Sequence, residues 1–368
     1  MRVVLALTQA VGGPARVAAG LATVVPELPD APEVIVLGPP TLSAAGLPPG
    51  MLRPIAVRSK LDARGFAAMR TELAELAPDV VHAQDHRAGL VCALVVGRDI
   101  PVAMTYHGVP DSAAGRWVKD GPWLGRRLSM AGRSRLLAHR FVGRRMNSVV
   151  APSAAMADFL VREIRLRAAG VRVIPNGVSV PSSARPPGQV RRFITISSFE
   201  PCKAVPQLVE TFLGIADGRP DLALRLVGNG IDRPRCEELA AHSAAAVVEF
   251  AGYRTDVSDQ LASSDAFVLP SLNENMPMAL LEAMAAGLPC ICSDVGGVSE
   301  ILDDDCGLLV RAGDAGSLQT AMEKLIADPD LAARLGAAAR RRVQTLFTVQ
   351  RSARAHLELW RQLADGSH

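Results

Sequence analysis

Aromatic residues are scarce in this 368-residue chain, at 4%, and lysine is scarcer still. Four lysines (60, 119, 203 and 324) stand against 36 arginines. In a chain that takes Arg so consistently, a Lys marks a place where Arg does not serve. No run of 18 apolar residues exists, so the sequence offers no membrane-spanning helix. The apolar run at Met1–Leu7 is too short for a signal peptide and is followed by Thr8, Gln9, Gly12 and Gly13; it reads as a β-strand. The six cysteines (92, 202, 236, 290, 292 and 306) form no C-x-x-C pair and no zinc spacing. They read as reduced core residues of a cytoplasmic protein. The G-x-G-x-x-G of dinucleotide enzymes is missing, which counts against a nicotinamide dehydrogenase. With 49% hydrophobic residues the chain is too apolar for disorder and long enough for two domains of ~150 residues.

Charge is distributed unevenly. Residues 1–180 hold 22 basic and 13 acidic side chains, a balance of +9, whereas residues 181–368 hold 18 and 24, a balance of −6. Arg116 to Arg145 is the densest stretch, with nine basic residues against Asp120 alone, and it includes Trp117, Trp123 and Leu124. Two readings stand side by side: a solvated helical face, or a surface for an anionic membrane or a phosphate-bearing acceptor. No nucleic-acid motif or aromatic interleaving accompanies the charge, so nucleic acid is not the expected partner.

Short β-branched runs alternate with helical patterns throughout. Strands are expected at Val3–Leu7, Val34–Leu37, Val80–His82, Val102–Tyr106, Ser148–Ala151 and Val171–Ile174, with helices over Asp62–Leu76 and Ser153–Arg167. Several of these strands are apolar on both faces, as parallel strands covered by helices must be. Pro181 to Gly188 reads as a linker. The alternation then restarts at Phe193–Ser197, Ala223–Val227, Val247–Phe250, Ala266–Leu269 and Pro289–Ser293. The expectation is an α/β chain of two doubly wound domains. One spans 1–180 and regains a C-terminal helix at about 349–368; the other spans 181–348.

Three strand ends carry chemistry. Gly12-Gly13-Pro14 forms a turn into a helix, where backbone N–H groups approach a phosphate. Pro270 to Pro289 places Glu274 in a loop and Glu282 within a largely apolar helix, with Pro277 in that helix's first turn. A buried carboxylate needs donors, and sugar hydroxyls or a nearby Arg would both supply them. Asp294-Val-Gly296-Gly297 makes a further glycine turn. Asp303-Asp304-Asp305 reads as a solvated turn rather than a metal site.

These segments resemble the retaining glycosyltransferases of family 4. Glu274 and Glu282 match the E-x7-E signature of that family, and EAMAAGLPCICSDVGGVSEIL continues it. DVVHAQDHRAGL, PVAMTYHG, VVAPSAAMADFL, VRVIPNGV and LRLVGNG occur in family order. The resemblance implies a GT-B fold, two Rossmann-like domains facing a central cleft. It implies metal-independent transfer of a sugar from a UDP- or GDP-sugar to a hydroxyl acceptor, anionic or lipid-linked, with no cofactor. The setting would be cell-envelope glycan, glycolipid or secondary-metabolite synthesis, in the cytoplasm or at the inner face of the membrane.

Residue by residue, the resemblance puts Glu282 on the ribose hydroxyls and Glu274 against the donor sugar. Asn275 and Met276 offer backbone N–H groups, Lys203 faces the departing diphosphate, and Gly12 and Gly13 let the first loop close over phosphate. His107 reaches the donor sugar. One region departs from the family: Ser198 stands where an Arg is usual, and Ala204 where a Gly is usual. Arg16 and Arg254 are candidates to supply the missing charge. A sugar-nucleotide epimerase of the same fold, or a catalytically weak binding relative, are the alternatives.

Overall fold

The computed structural model describes residues 1–48, 50–108, 130–183, 188–241 and 247–366. Contacts divide the chain into two units, Val178–Phe347 forming the bulk of the second. The first unit opens with β1 (Arg2–Ala6), α1 (Gly13–Val24), β2 (Glu33–Gly38), β3 (Leu52–Pro54), α2 (Ala63–Leu76) and β4 (Val80–Ala83). It continues through α3 (His86–Val95), β5 (Val102–Thr105), α4 (Met130–Arg145), β6 (Ser148–Ala151), α5 (Ala154–Arg162) and β7 (Val171–Val173). Its seven strands are parallel, in the order β3-β2-β1-β4-β5-β6-β7.

The second unit runs β8 (Arg192–Ile196), α6 (Val205–Ala216), β9 (Ala223–Val227), α7 (Arg233–Ala241), β10 (Val247–Gly252), α8 (Val257–Ala262) and β11 (Ala266–Leu269). Then follow α9 (Met278–Ala285), β12 (Cys290–Ser293), α10 (Val298–Ile301), β13 (Leu308–Val310), α11 (Ala315–Ala327) and α12 (Pro329–Leu346). Its six strands, again parallel, run β10-β9-β8-β11-β12-β13. The last helix, α13 (Val349–Ala364), rejoins the first unit.

The inner strands of both sheets are buried on both faces, for the reason their composition suggested. In β11, Phe267 and Leu269 enter one core with Ile194 and Cys290, while Ala266 and Val268 enter another with Phe193 and Ile291. The helices over each face bury what a parallel sheet cannot leave in water. The expected α/β class, two doubly wound parallel sheets, is what the chain forms.

Local expectations needed three corrections. The helix expected over Ser153–Arg167 stops at Arg162, because Arg165 takes a left-handed φ of 60° and turns Ile164 and Leu166 inward, 1% and 8% exposed. Strands β3 and β13 escaped the sequence reading. Each has three residues, and the Pro54 of β3 is tolerated because that strand lies at a sheet edge. Pro277 stands just before α9 as its cap, with an extended ψ of 121°, rather than inside the first turn.

Trp117, Trp123, Leu124, Arg126 and Arg127 of the basic stretch lie outside the described residues. Of its described arginines, Arg145 is structural, donating to the Ala93 carbonyl at 3.0 Å. No described helix is long and apolar enough to cross a membrane.

Candidate active site

In a doubly wound sheet the crevice opens where the strand order reverses, at the carboxyl ends of the two innermost strands. In the second unit these are β8 and β11, paired through Ala266 and Phe193. The loop after β8 holds Lys203, and the loop after β11 holds Glu274. Neighbouring strands therefore bring together residues that are 71 apart in sequence. Lys203 Nζ donates to Glu274 Oε1 at 2.6 Å, and Ser271 Oγ donates to the same oxygen at 2.9 Å. The Leu272 N–H donates to the Cys202 carbonyl at 2.7 Å and fastens the two loops. The pair is partly exposed, Lys203 at 21% and Glu274 at 9%.

The backbone shows what position 204 requires. Ala204 adopts φ 50° and ψ 34°, a left-handed conformation a glycine takes without strain. Holding it turns the chain from the short helical turn at Pro201–Lys203 into α6. Gly228 of the LRLVGNG segment is required for a different reason. At φ +135° a Cβ on it would lie 1.8 Å from the Ser197 carbonyl oxygen, so the loop after β9 can pass over the Lys203 loop only with glycine there. Ser198 itself is exposed.

Downstream, Asn275 and Met276 are buried, 3% and 5% exposed. Glu282 lies one turn into α9, half-buried, and is that helix's one charged residue. Its neighbours Leu280, Leu281, Ala283 and Met284 are fully buried, which fixes the face on which the carboxylate emerges. Of the two substitute arginines, Arg254 is gripped by Asp256 through Nε at 2.8 Å and Nη2 at 2.6 Å. Asp256 is held down at about 2 by that contact first, then by Gln260. Asp303 of the acidic turn pairs with Arg342 at 2.6 Å.

The first unit reverses its strand order between β1 and β4. Gly12, with φ +89°, opens α1 after β1. Arg16 lies in the first turn of that helix, its N–H bonded to the Gly12 carbonyl at 3.2 Å. The loop is tied down by Asp85, which follows β4. Asp85 accepts from the Thr8 N–H at 2.6 Å, the Thr8 hydroxyl at 2.8 Å and the Ala88 N–H at 2.8 Å, the last as the cap of α3. Asp85 is 5% exposed, and three donors satisfy it.

His107 follows β5 and donates from Nε2 to Gln84 Oε1 at 3.3 Å. Burial pushes its pKa down to about 3, with His356 adding to the effect. His107 is thus a neutral hydrogen-bonding group, not a cation. Behind it, Trp360 of α13 donates from Nε1 to His82 Nδ1 at 3.0 Å. An indole N–H only donates, so His82 carries its proton on Nε2, which donates to Thr105 Oγ1 at 2.8 Å. His86 and His139 stack with ring centroids 3.7 Å apart beside Tyr106.

Sequence reading missed Ser271, Thr8, Asp85 and the His82–Trp360 pair. The HAQDH segment was the available signal, since polar residues at the end of a buried strand must find internal partners.

Two family models match the chain over residues 11–342. Glycosyltransferase Family 4 matches residues 11–180, and Glycosyl transferases group 1 matches residues 181–342. A glycogen synthase of Mycobacterium tuberculosis is 28% identical over 295 residues, 77% of this chain and 68% of that one. A sulfoquinovosyl transferase of Arabidopsis thaliana is 27% identical over 288 residues, 73% of this chain and 54% of that one. Among solved structures, a sucrose-phosphate synthase from Thermosynechococcus elongatus superposes with a TM-score of 0.78 at 21% identity, over 100% of both chains. Anabaena HepE in complex with UDP-glucose also gives 0.78, at 17% identity, over 98% of this chain and 100% of that one.

Proposed function

The chain belongs to glycosyltransferase family 4, and on that premise we propose that it moves a hexosyl or related sugar from a UDP- or GDP-sugar to a hydroxyl acceptor, with retention and without a metal ion. The observation that carries this reading is the Lys203–Glu274–Ser271 cluster at the strand reversal of the second sheet. Its ammonium and carboxylate already neutralise each other, so an arriving diphosphate can take Lys203 while Glu274 turns to sugar hydroxyls. The UDP-glucose bound to HepE supports a uridine donor. An anionic or lipid-linked acceptor is supported by the +9 balance of residues 1–180.

In this mechanism the bond between the anomeric carbon and the diphosphate oxygen breaks as negative charge builds on the leaving group. The acceptor oxygen attacks the same face, and the departing phosphate takes its proton. The chain's own work is positioning and electrostatics. Lys203 and the N–H groups of Asn275 and Met276 meet the charge, Glu282 accepts from the ribose hydroxyls, and neutral His107 hydrogen-bonds the sugar. Lys203, which stands at the strand reversal beside Glu274, is the cation on which the reaction leans.

A thermal-shift screen of UDP-, GDP- and ADP-sugars tests the donor, because a ligand at a hundredfold excess over its Kd stabilises by about 2.7 kcal/mol. Glu282→Ala should abolish the shift given by the best nucleotide while leaving the unliganded melting point near wild type. A variant that binds as tightly as wild type removes Glu282 from the site. Turnover of the same donor should survive EDTA; loss restored by Mg2+ or Mn2+ overturns the metal-free mechanism.

A further inference from the structure

The first unit holds a cavity of about 680 Å3 at the amino-terminal ends of β6 and β7, where Ser148 and Arg172 stand. Gly12 and His107 follow the carboxyl ends of β1 and β5, so this cavity opens at the opposite edge of the same sheet. It belongs to no step of the transfer reaction. Its volume suits a small organic ligand.

Three arginines from three different segments line it: Arg144 at the end of α4, Arg167 in the turn after α5, and Arg172 in β7. None is paired with a carboxylate among the described residues, and the lining contains no Asp or Glu. The carboxyl ends of α4 and α13 point carbonyls towards this region, worth roughly half a negative charge each. Glu358, near the rim, accepts from Gln362 Nε2 at 3.4 Å. These offset the three guanidinium charges in part and leave the site positive.

Asn147 and Gln362 add polar side chains to the lining, and its apolar part is buried: Met146, Leu166, Leu359 and Leu363 are 9%, 8%, 5% and 2% exposed. Ser148 also lines the cavity, is 4% exposed, and its hydroxyl has no hydrogen-bond partner among the described residues. A buried hydroxyl left unpaired is destabilising unless something else satisfies it.

We propose that this cavity binds a phosphomonoester bearing a short apolar group. Planar guanidinium forks match phosphate oxygens, and a dianion with three terminal oxygens can engage all three arginines. The apolar part then lies against Met146, Leu166 and Leu363. A lipid headgroup and a soluble phosphate ester share this chemistry.

The test uses the full chain and isothermal titration with hexyl phosphate, inorganic phosphate and hexanol. Hexyl phosphate should bind at least about tenfold more tightly than either fragment, and the variant Arg144→Ser/Arg167→Ser/Arg172→Ser should lose at least about tenfold. All three arginines are exposed, so the variant keeps its fold, checked by its melting curve. Phosphatidic acid vesicles separate the sources. Arginine-dependent co-sedimentation that displaces hexyl phosphate assigns the site to a lipid, whereas hexyl phosphate binding without vesicle binding assigns it to a soluble ester. No binding, equal binding by wild type and variant, or inorganic phosphate as tight as hexyl phosphate overturns the proposal.

Discussion

The two sheets reverse their strand order in the same way, yet the clamps at the two reversals are chemically opposite. In the first unit, Asp85 is saturated by two backbone N–H groups and a hydroxyl from its own chain. In the second, Glu274 accepts from the Lys203 ammonium and the Ser271 hydroxyl in a partly exposed loop. A saturated, buried carboxylate fixes a loop. A partly exposed ion pair can exchange partners when a charged ligand arrives. The same topology thus supplies a scaffold in one unit and reactive electrostatics in the other.

The interiors differ as well. All five described histidines (82, 86, 107, 139 and 356) lie in the first unit, whereas Cys202, Cys236, Cys290, Cys292 and Cys306 lie in the second. Burial pushes the histidine pKa values down: to about 4 for His86 and His356, to about 3 for His107 and His139, and well below normal for His82. It raises the thiols of Cys290 and Cys292 well above normal and those of Cys236 and Cys306 to about 11, so these four are poor nucleophiles.

The comparison is broken most severely at Trp360. Its indole is fully buried and bonded to His82, so Trp360→Ala should destabilise the first unit by about 3–5 kcal/mol, while Trp360→Phe should recover the packing but not the hydrogen bond. Denaturant melts of wild type and both variants check this; a Trp360→Phe chain as stable as wild type would make the hydrogen bond irrelevant. Next comes Lys203→Ala, which leaves Glu274 without its cation. It should lower kcat by roughly 10²–10³ while the melting point moves little. A large stability loss with intact turnover would make the pair structural, like the Asp85 clamp.

Acid sharpens the contrast. A histidine whose pKa falls on folding binds its proton in the unfolded chain first, so its contribution is complete above pH ~6.5 and is lost as pH drops towards 4. The first unit should therefore loosen between pH ~6.5 and about 4. Hydrogen exchange compared at neutral pH and near pH ~5 should show lost protection in β4 and α13 but not in β11 and β12. Uniform loss in both sheets would contradict the assignment. The smallest effect is expected for Ala204→Gly, which relieves a left-handed alanine and should stabilise by up to about 1 kcal/mol.

Much of the fold is legible along the chain. Period, length and apolar faces mark the strands of both sheets, because a parallel strand covered on both sides must be hydrophobic throughout. The E-x7-E spacing marks Glu274 and Glu282 because the two sit within one loop and helix. The partners of these residues are not legible in the same way. Lys203 meets Glu274 only because β8 pairs directly with β11, although two strands lie between them in the chain, and nothing local in either loop records that pairing. The three-residue strands are too short to carry a period, and Arg165 ends a helix through backbone geometry.

By itself, then, the sequence determined what depends on neighbours along the chain: the alternation of strands and helices, the glycine turns and the carboxylate pair. The tertiary structure decided what depends on neighbours in space. It chose which carboxylate was saturated and which kept an exchangeable partner. It set the tautomer of His82 through an indole 278 residues away. It gathered three arginines from separate segments around one cavity. The physical reason is that hydrogen bonding and desolvation act over a few ångströms, whatever the separation in sequence.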